Sequence, residues 1–228
     1  MIIKFSGLDS LIEFRAGEPM TLDVRNERLF SRICMALLSG LGEDALEPYA
    51  VWDDSGKAIK PASALMVISD PLSLPWKHRL LSGKIYDCVE KLIREDDALR
   101  EKIETINGDI EREISQCALQ MNSEYSFGLE WAVDKYLKAF NFGVENMPDD
   151  SLFDKLIRFL SLAADVSFKE SFVFINIRKF LTEKEANELV KQSIFLNLSV
   201  LFLENGSGFD TYSTDTKICI DQDFIENR

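Results

Sequence analysis

Two sets of charged residues in this chain have types and spacings suited to chemistry. The first is cationic. Lys57 and Lys60 stand in a loop before an apolar run, Lys77, Arg79 and Lys84 form a second cluster, and Arg178 and Lys179 follow another apolar run. Cations that converge on one surface neutralise phosphates and release condensed counterions, so these are the candidate DNA contacts. Arg178 and Lys179 lie past the carboxyl end of an expected strand, where open α/β sheets place ligand contacts. The second set is anionic: Glu124, Glu130 and Asp134, beside Asn122, Ser123 and Ser126. Calcium takes about six to eight oxygens, including carbonyls and waters, and a helix junction rich in such groups is a candidate site. On a helix, Glu130 and Asp134 would share one face. The alternative at this place is a helix cap with exposed acids.

Other chemistries lack their residues. His78 is the sole histidine, so zinc sites and histidine-based triads have almost nothing to work with. The nearest approach to a phosphate loop is His78-Arg79-Leu80-Leu81-Ser82-Gly83-Lys84-Ile85, which lacks the first glycine and the closing hydroxyl. Gly206-Ser207-Gly208 follows an apolar run but has no lysine and opens no clear helix. ATP binding and catalysis are therefore not expected. The cysteines, Cys34, Cys88, Cys117 and Cys219, are far apart and read as reduced thiols of a cytoplasmic protein. No run is long and apolar enough for a membrane span, and Met1–Ser6 reads as a strand rather than a signal segment.

Charge limits how DNA could be bound. The chain has 26 Lys plus Arg against 39 Asp plus Glu, a net charge of -13, with the acid excess spread along its length. Such a body repels phosphate over most of its surface and admits a duplex only where cations converge.

The elements that must position these residues follow from periodicity. Met1–Phe5, Ser10–Phe14, Tyr49–Trp52 and Ala64–Ser69 read as strands, and Arg28–Ser39 reads as a helix ending at Gly40. From Ile85 to Met121 an apolar stripe recurs every three or four residues on charged flanks, the pattern of one long coiled-coil-like helix. Asp96 takes one apolar place in it, and Asn107-Gly108-Asp109 is the expected place for a kink. Leu129–Phe140 and Leu152–Ala163 read as further helices, the latter capped by Asp149, Asp150 or Ser151. Phe172–Ile177 and Leu198–Leu203 read as buried parallel strands, joined by a helix that opens with the capping box Thr182-x-x-Glu185 and runs to about Phe195. A last strand is expected at Lys217–Ile220. The resulting architecture is α/β. A discontinuous head from residues 1–75 and 172–228 builds one sheet, and 76–171 form an inserted, elongated helical leg.

Several segments resemble one family in order along the whole chain. Asn197-Leu198-Ser199-Val200-Leu201-Phe202-Leu203-Glu204 is the most specific of them. Phe174-Ile175-Asn176-Ile177-Arg178-Lys179-Phe180-Leu181-Thr182, Ile3-Lys4-Phe5-Ser6-Gly7-Leu8-Asp9, Phe30-Ser31-Arg32-Ile33 and Phe142-Gly143-Val144-Glu145 accompany it. Together they look like the signature protein family of type II-A CRISPR systems, the ring-forming adaptation proteins. The resemblance implies an α/β head related to P-loop ATPase cores without the phosphate loop, a helical leg, and no enzymatic activity. It implies a homotetrameric ring with a lysine-lined hole, bound Ca2+, and binding to free ends of linear double-stranded DNA without sequence preference. It also implies a role in spacer acquisition beside the CRISPR integrase proteins and the RNA-guided nuclease, with no membrane partner. Lys57 and Lys60 are the preferred lysines of the hole. The chain departs from the family before Leu129, where Ser126, Phe127 and Gly128 interrupt the acidic run, and this puts a calcium site in doubt. The competing reading is a protein–protein scaffold with a degenerate nucleotide-binding core and a docking leg.

Overall fold

The computed structural model describes residues 1–144, 149–206 and 216–227, except for the side chains of Arg79 and Leu80. The chain begins with β1 (Ile2–Phe5), the short β2 (Ile12–Glu13) and β3 (Met20–Val24). Asn26 then starts α1 (Glu27–Ser39) by accepting the Leu29 N–H, and Gly40 ends it in the left-handed region at φ 64°. Next come β4 (Tyr49–Trp52), β5 (Ala58–Ile59), the single turn α2 (Pro61–Ala64) and β6 (Leu65–Ile68). Three helices follow: α3 (Arg79–Glu95), α4 (Asp97–Ala118) and α5 (Val133–Ala139). The last part holds α6 (Leu152–Asp165), β7 (Ser171–Ile175), α7 (Glu183–Phe195), β8 (Val200–Glu204), β9 (Thr216–Ile220) and β10 (Glu226–Asn227).

The chain divides into two units, Met1–Pro75 with Asn146–Arg228, and Trp76–Glu145. The first is the discontinuous α/β unit, and it includes α6. The boundary therefore precedes α6 instead of following it at 171, because α6 packs on α7 and on the sheet. The expected single sheet is two. Strands β2-β1-β4-β5 form an antiparallel sheet, and β10-β9-β3-β8-β7-β6 form a mixed one. The five strands from β9 to β6 in that order run parallel, and they come from both ends of the chain.

The parallel sheet is covered on both faces, which is why its strands read as near-continuous apolar runs. On one face Leu22, Val24, Val173, Ile175, Leu201 and Leu203 join a core with Leu29 and Ile33 of α1 and with Ile3 and Phe5 of β1. On the other, Phe202, Phe174 and Phe172 stack in a row, and Phe159 of α6 meets Phe172 edge-on at 5.6 Å. The capping box holds: Thr182 and Glu185 bond reciprocally, and α7 leads from β7 to its parallel neighbour β8. Ser151 caps α6.

Strand β3 is not evident from its sequence. Met20-Thr21-Leu22-Asp23-Val24 alternates like a half-exposed strand, yet all five residues are buried between β8 and β9. Thr21 and Asp23 are tolerated there because other polar groups satisfy them.

The second unit is helical. Its long stripe is broken at Asp96, not at Asn107-Gly108-Asp109. Asp96 leaves helical geometry at φ -113°, ψ 98°, and its carboxylate accepts the Leu99 N–H at 3.0 Å, so the polar residue in the apolar series starts a new helix. Gly108 stays inside α4; one glycine weakens a helix by about 1 kcal/mol and does not end it. Around an apolar groove of about 290 Å³, α3, α4 and α5 meet through Val89, Ile93, Ile103, Trp131 and Leu137. The helix expected over Leu129–Phe140 is shorter, since Ser126-Phe127-Gly128 and the residues up to Ala132 lie outside it.

Candidate nucleic-acid interface

The structure separates the candidate cations. Lys77, Arg79 and Lys84 belong to the helical unit, while Lys57, Lys60, Arg178 and Lys179 belong to the α/β unit. Within the α/β unit Lys60 and Lys179 occupy opposite ends of one sheet. Lys60 precedes α2, which leads straight into β6, so it stands at the amino end of that strand, while Lys57 lies in the turn between β4 and β5 of the antiparallel sheet. Lys179 follows β7, which runs parallel to β6, and so stands at the carboxyl end.

Lys57 and Lys60 are exposed. Lys57 closes a turn organised by Asp53, whose carboxylate accepts the backbone N–H groups of Ser55 and Lys57, each at 2.9 Å. Those bonds and the Ser55 hydroxyl hold the Asp53 carboxyl below its ordinary range. Asp53 and Asp54 thus place negative charge beside Lys57. Lys77 and Lys179 are exposed and Lys84 is half-buried. Arg79 opens α3, and its side chain is outside those described.

Arg178 is not a surface cation. It is 3% exposed, its Nη2 donates to Thr21 Oγ1 at 2.7 Å, and its guanidinium lies over the Phe202 ring at 5.3 Å. The expectation that it contacts DNA is corrected by this burial: the side chain folds back along the sheet. It lies in the short turn of helix Ile177–Phe180, after Asn176, which takes a left-handed φ of 53°. Asn205 bridges the strand ends there, its N–H donating to Asn176 Oδ1 at 3.0 Å and its amide to the Val24 carbonyl at 2.8 Å. Arg178 and Asn205 thus occupy the carboxyl ends of these strands, the edge at which open α/β sheets take ligands.

The phosphate-loop near-match also resolves. Ser82, Gly83 and Lys84 lie inside α3, so their backbone N–H groups are not presented as a cradle. Of Gly206-Ser207-Gly208, only Gly206 is among the described residues, and its N–H donates to Asp23 Oδ1 at 2.8 Å.

The acidic candidates do not converge. Glu130 precedes α5 rather than sharing a helix face with Asp134, because the helix begins at Val133. Asp134 is paired with Lys138 at 2.9 Å, which holds its carboxyl below the ordinary range. Both residues line a cavity of about 470 Å³ with Glu90, Glu104 and Glu111, while Glu124 does not. The fold of α3 onto α4 is what brings those three acids together. Glu90 pairs with Arg94 at 2.8 Å and Glu111 accepts from Asn107 at 3.1 Å. Among the described residues, no group of three acids, cysteines or histidines is close enough to hold a metal ion. The predicted calcium set is therefore not assembled.

The profile of the CRISPR-associated protein (Cas_Csn2) family matches residues 43–224. The chain belongs to the Csn2 family. It is 26% identical over 207 residues to the CRISPR-associated protein Csn2 of Enterococcus faecalis, covering 90% of each chain. It is 23% identical over 182 residues to Csn2 of Streptococcus agalactiae, covering 80% of this chain and 79% of that one. The crystal structure of Stu0660 of Streptococcus thermophilus superposes with a TM-score of 0.58 at 18% identity, covering 89% of this chain and 68% of that one. That likeness concerns the fold. Csn2 membership agrees with the resemblance drawn from the segments around β7, β8 and α1. Among the described residues, no helix of this Csn2-family chain is long and apolar enough to cross a membrane.

Proposed function

We propose that this chain is a non-enzymatic adaptation protein that binds free ends of linear double-stranded DNA, without sequence preference, as a homotetrameric ring. The observation that carries this is membership of the Csn2 family over most of the chain. In this reading the α/β unit is an ATPase-type core without its phosphate loop, and the helical unit is the elongated leg. The protein works beside the integrase proteins and the RNA-guided nuclease during spacer acquisition, in the cytoplasm.

Physics supplies the constraint on binding. A chain of net charge -13 repels DNA except where lysines gather. Lys57 and Lys60 are exposed on a single short stretch, and symmetry would bring copies of that stretch together in a ring. Lys77, Lys84 and Lys179 are further contacts, while Arg178 acts as a structural group. Calcium enters this reading only at the residues before α5. The carboxylates there are dispersed, so no step of DNA binding is assigned to the ion.

The test is mass and topology together. Light scattering should give a tetramer, and a linear duplex should bind while a closed circle of equal length binds poorly, with affinity falling steeply as salt rises. A monomer, or equal binding to circles and linear fragments, rejects the proposal.

A second reading, a protein–protein scaffold, draws on the apolar residues left exposed along α3 and α4: Leu92, Ile106, Ile110 and Ile114. Replacing Lys57 and Lys60 by Glu separates the two, since only the DNA reading makes that change consequential.

A further inference from the structure

The carboxyl end of the parallel sheet holds a buried ionic row that DNA binding does not use. Asp23 and Glu204 are register partners on adjacent parallel strands, so both side chains leave the sheet on the same face. Both are shut from solvent. Their partners differ. Asp23 is held on both oxygens: Oδ1 accepts the Gly206 N–H at 2.8 Å, and Oδ2 meets Lys217 Nζ at 3.5 Å and Arg25 Nε at 4.0 Å. Glu204 Oε1 accepts the Arg178 backbone N–H at 3.2 Å, and Oε2 has no hydrogen-bond partner among the described residues. The Arg178 guanidinium is engaged elsewhere, on Thr21 and over Phe202.

Two carboxylates on neighbouring strands, both out of water, resist ionising together. Asp23 has two cations beside it, whereas Glu204 has an oxygen with no hydrogen-bond partner among the described residues. Burial first, and Asp23 to a lesser degree, push its carboxyl up to about 7, against the opposing pull of Arg178 and Lys179. Among the described residues, the charged groups that act on Glu204 are Arg178 and Lys179 from the turn after β7 and Asp23 from β3. Lys217 of β9 and Arg25 act through Asp23.

We propose that Glu204 is a proton-operated latch. Protonated, it leaves Arg178 on Thr21 and keeps the turn Ile177–Phe180 seated on the sheet. When it loses its proton, it draws the guanidinium off Thr21 and Phe202, and the turn shifts. One proton leaves the carboxyl for solvent and the guanidinium keeps its own, so no other bond is made or broken covalently. An unpaired buried carboxylate is costly enough to drive this exchange of partners. The left-handed Asn176 sits at the hinge, and the same turn carries the exposed Lys179, so proton loss repositions a surface cation.

The experiment uses the full chain with carboxyl-labelled glutamate. One glutamate carboxyl carbon should titrate with a midpoint near neutrality and vanish in Glu204→Gln. After correction for intrinsic exchange, amides of residues 177–180 should exchange at least about threefold faster at about pH 8 than at about pH 6. In Glu204→Gln that difference should disappear. A glutamate set that titrates wholly below about pH 5, or a turn whose protection is the same at both pH values, overturns the latch. So does a Glu204→Gln protein that keeps the difference. If that variant does not fold, Thr21→Val serves: without the hydroxyl acceptor, exchange of the turn should already be fast at the lower pH, and unchanged protection there overturns the proposal.

Discussion

Phe159 of α6 stands edge-on to Phe172 of β7, with ring centroids 5.6 Å apart and planes at 67°. Both side chains are fully buried, and Phe172 continues into the stacked row of Phe174 and Phe202. This contact ties α6 to the sheet. Phe159→Ala leaves a cavity at the head of that row and should lower stability by about 3–5 kcal/mol. Chemical denaturation should show a lower midpoint, and a loss under about 1 kcal/mol would mean that α6 is not seated on this face.

Asp96 separates α3 from α4 by capping the second helix. Asp96→Ala should cost about 0.5–2 kcal/mol. The loss should appear as faster amide exchange in the first turn of α4. Asp96→Leu restores the apolar series, so helical ellipticity should rise as the two helices join. No rise would show that the break is imposed by packing instead of by the cap.

The capping box of α7 gives a signed pH dependence. Thr182 holds the Glu185 carboxyl below its ordinary range through side-chain and backbone bonds. A depressed carboxylate contributes stability that is present above its unfolded range and lost as pH falls through the folded value. Thr182→Ala should remove about 1 kcal/mol at neutral pH and flatten the acid limb of the stability curve. An unchanged acid limb counts against the box.

Glu204 runs the other way. Its carboxyl rises to about 7 on folding, so the folded state binds the proton more tightly than the unfolded chain. Its contribution is full below the ordinary carboxylate range and is lost as pH rises through about 7. The span corresponds to about 3 kcal/mol. Glu204→Gln should be less sensitive than the parent between weakly acidic and neutral pH, measured by denaturant midpoints. An equal slope in both proteins contradicts the assignment.

Charge reversal at Lys57 and Lys60 tests the interface. If each lysine meets one phosphate, the log–log salt slope of linear-duplex binding should fall by about 2 per chain engaged. Lys179→Glu should act more weakly, because it lies at the other end of the sheet from Lys60. Identical effects from both would place the two ends on one surface.

Much of this was legible in the sequence. The Thr182 capping box, Gly40 as a helix end, Ser151 as a cap and the apolar runs of β7 and β8 are local signals, and the fold keeps them. What was not legible depends on distant partners. The strand at Met20–Val24 looks half-polar because Thr21 and Asp23 are satisfied by Arg178, Gly206 and Lys217, which lie far along the chain. Arg178 reads as a surface cation for the same reason. The acids Glu90, Glu104 and Glu111 meet Glu130 and Asp134 only after three helices fold together. The break at Asp96 was visible as one polar residue in an apolar series, and capping propensity decided it.

The order of strands in the mixed sheet has a consequence for biosynthesis. Strand β3, made early, lies between β8 and β9, which are among the last to be made. A nascent chain therefore carries β3 without its flanking strands until the final strands leave the ribosome, since domains fold as units and long-range pairing is slow. The helical unit is continuous in sequence, so its residues are all made before the final strands. Truncation near the carboxyl terminus should consequently harm the first-made part of the protein more than its middle.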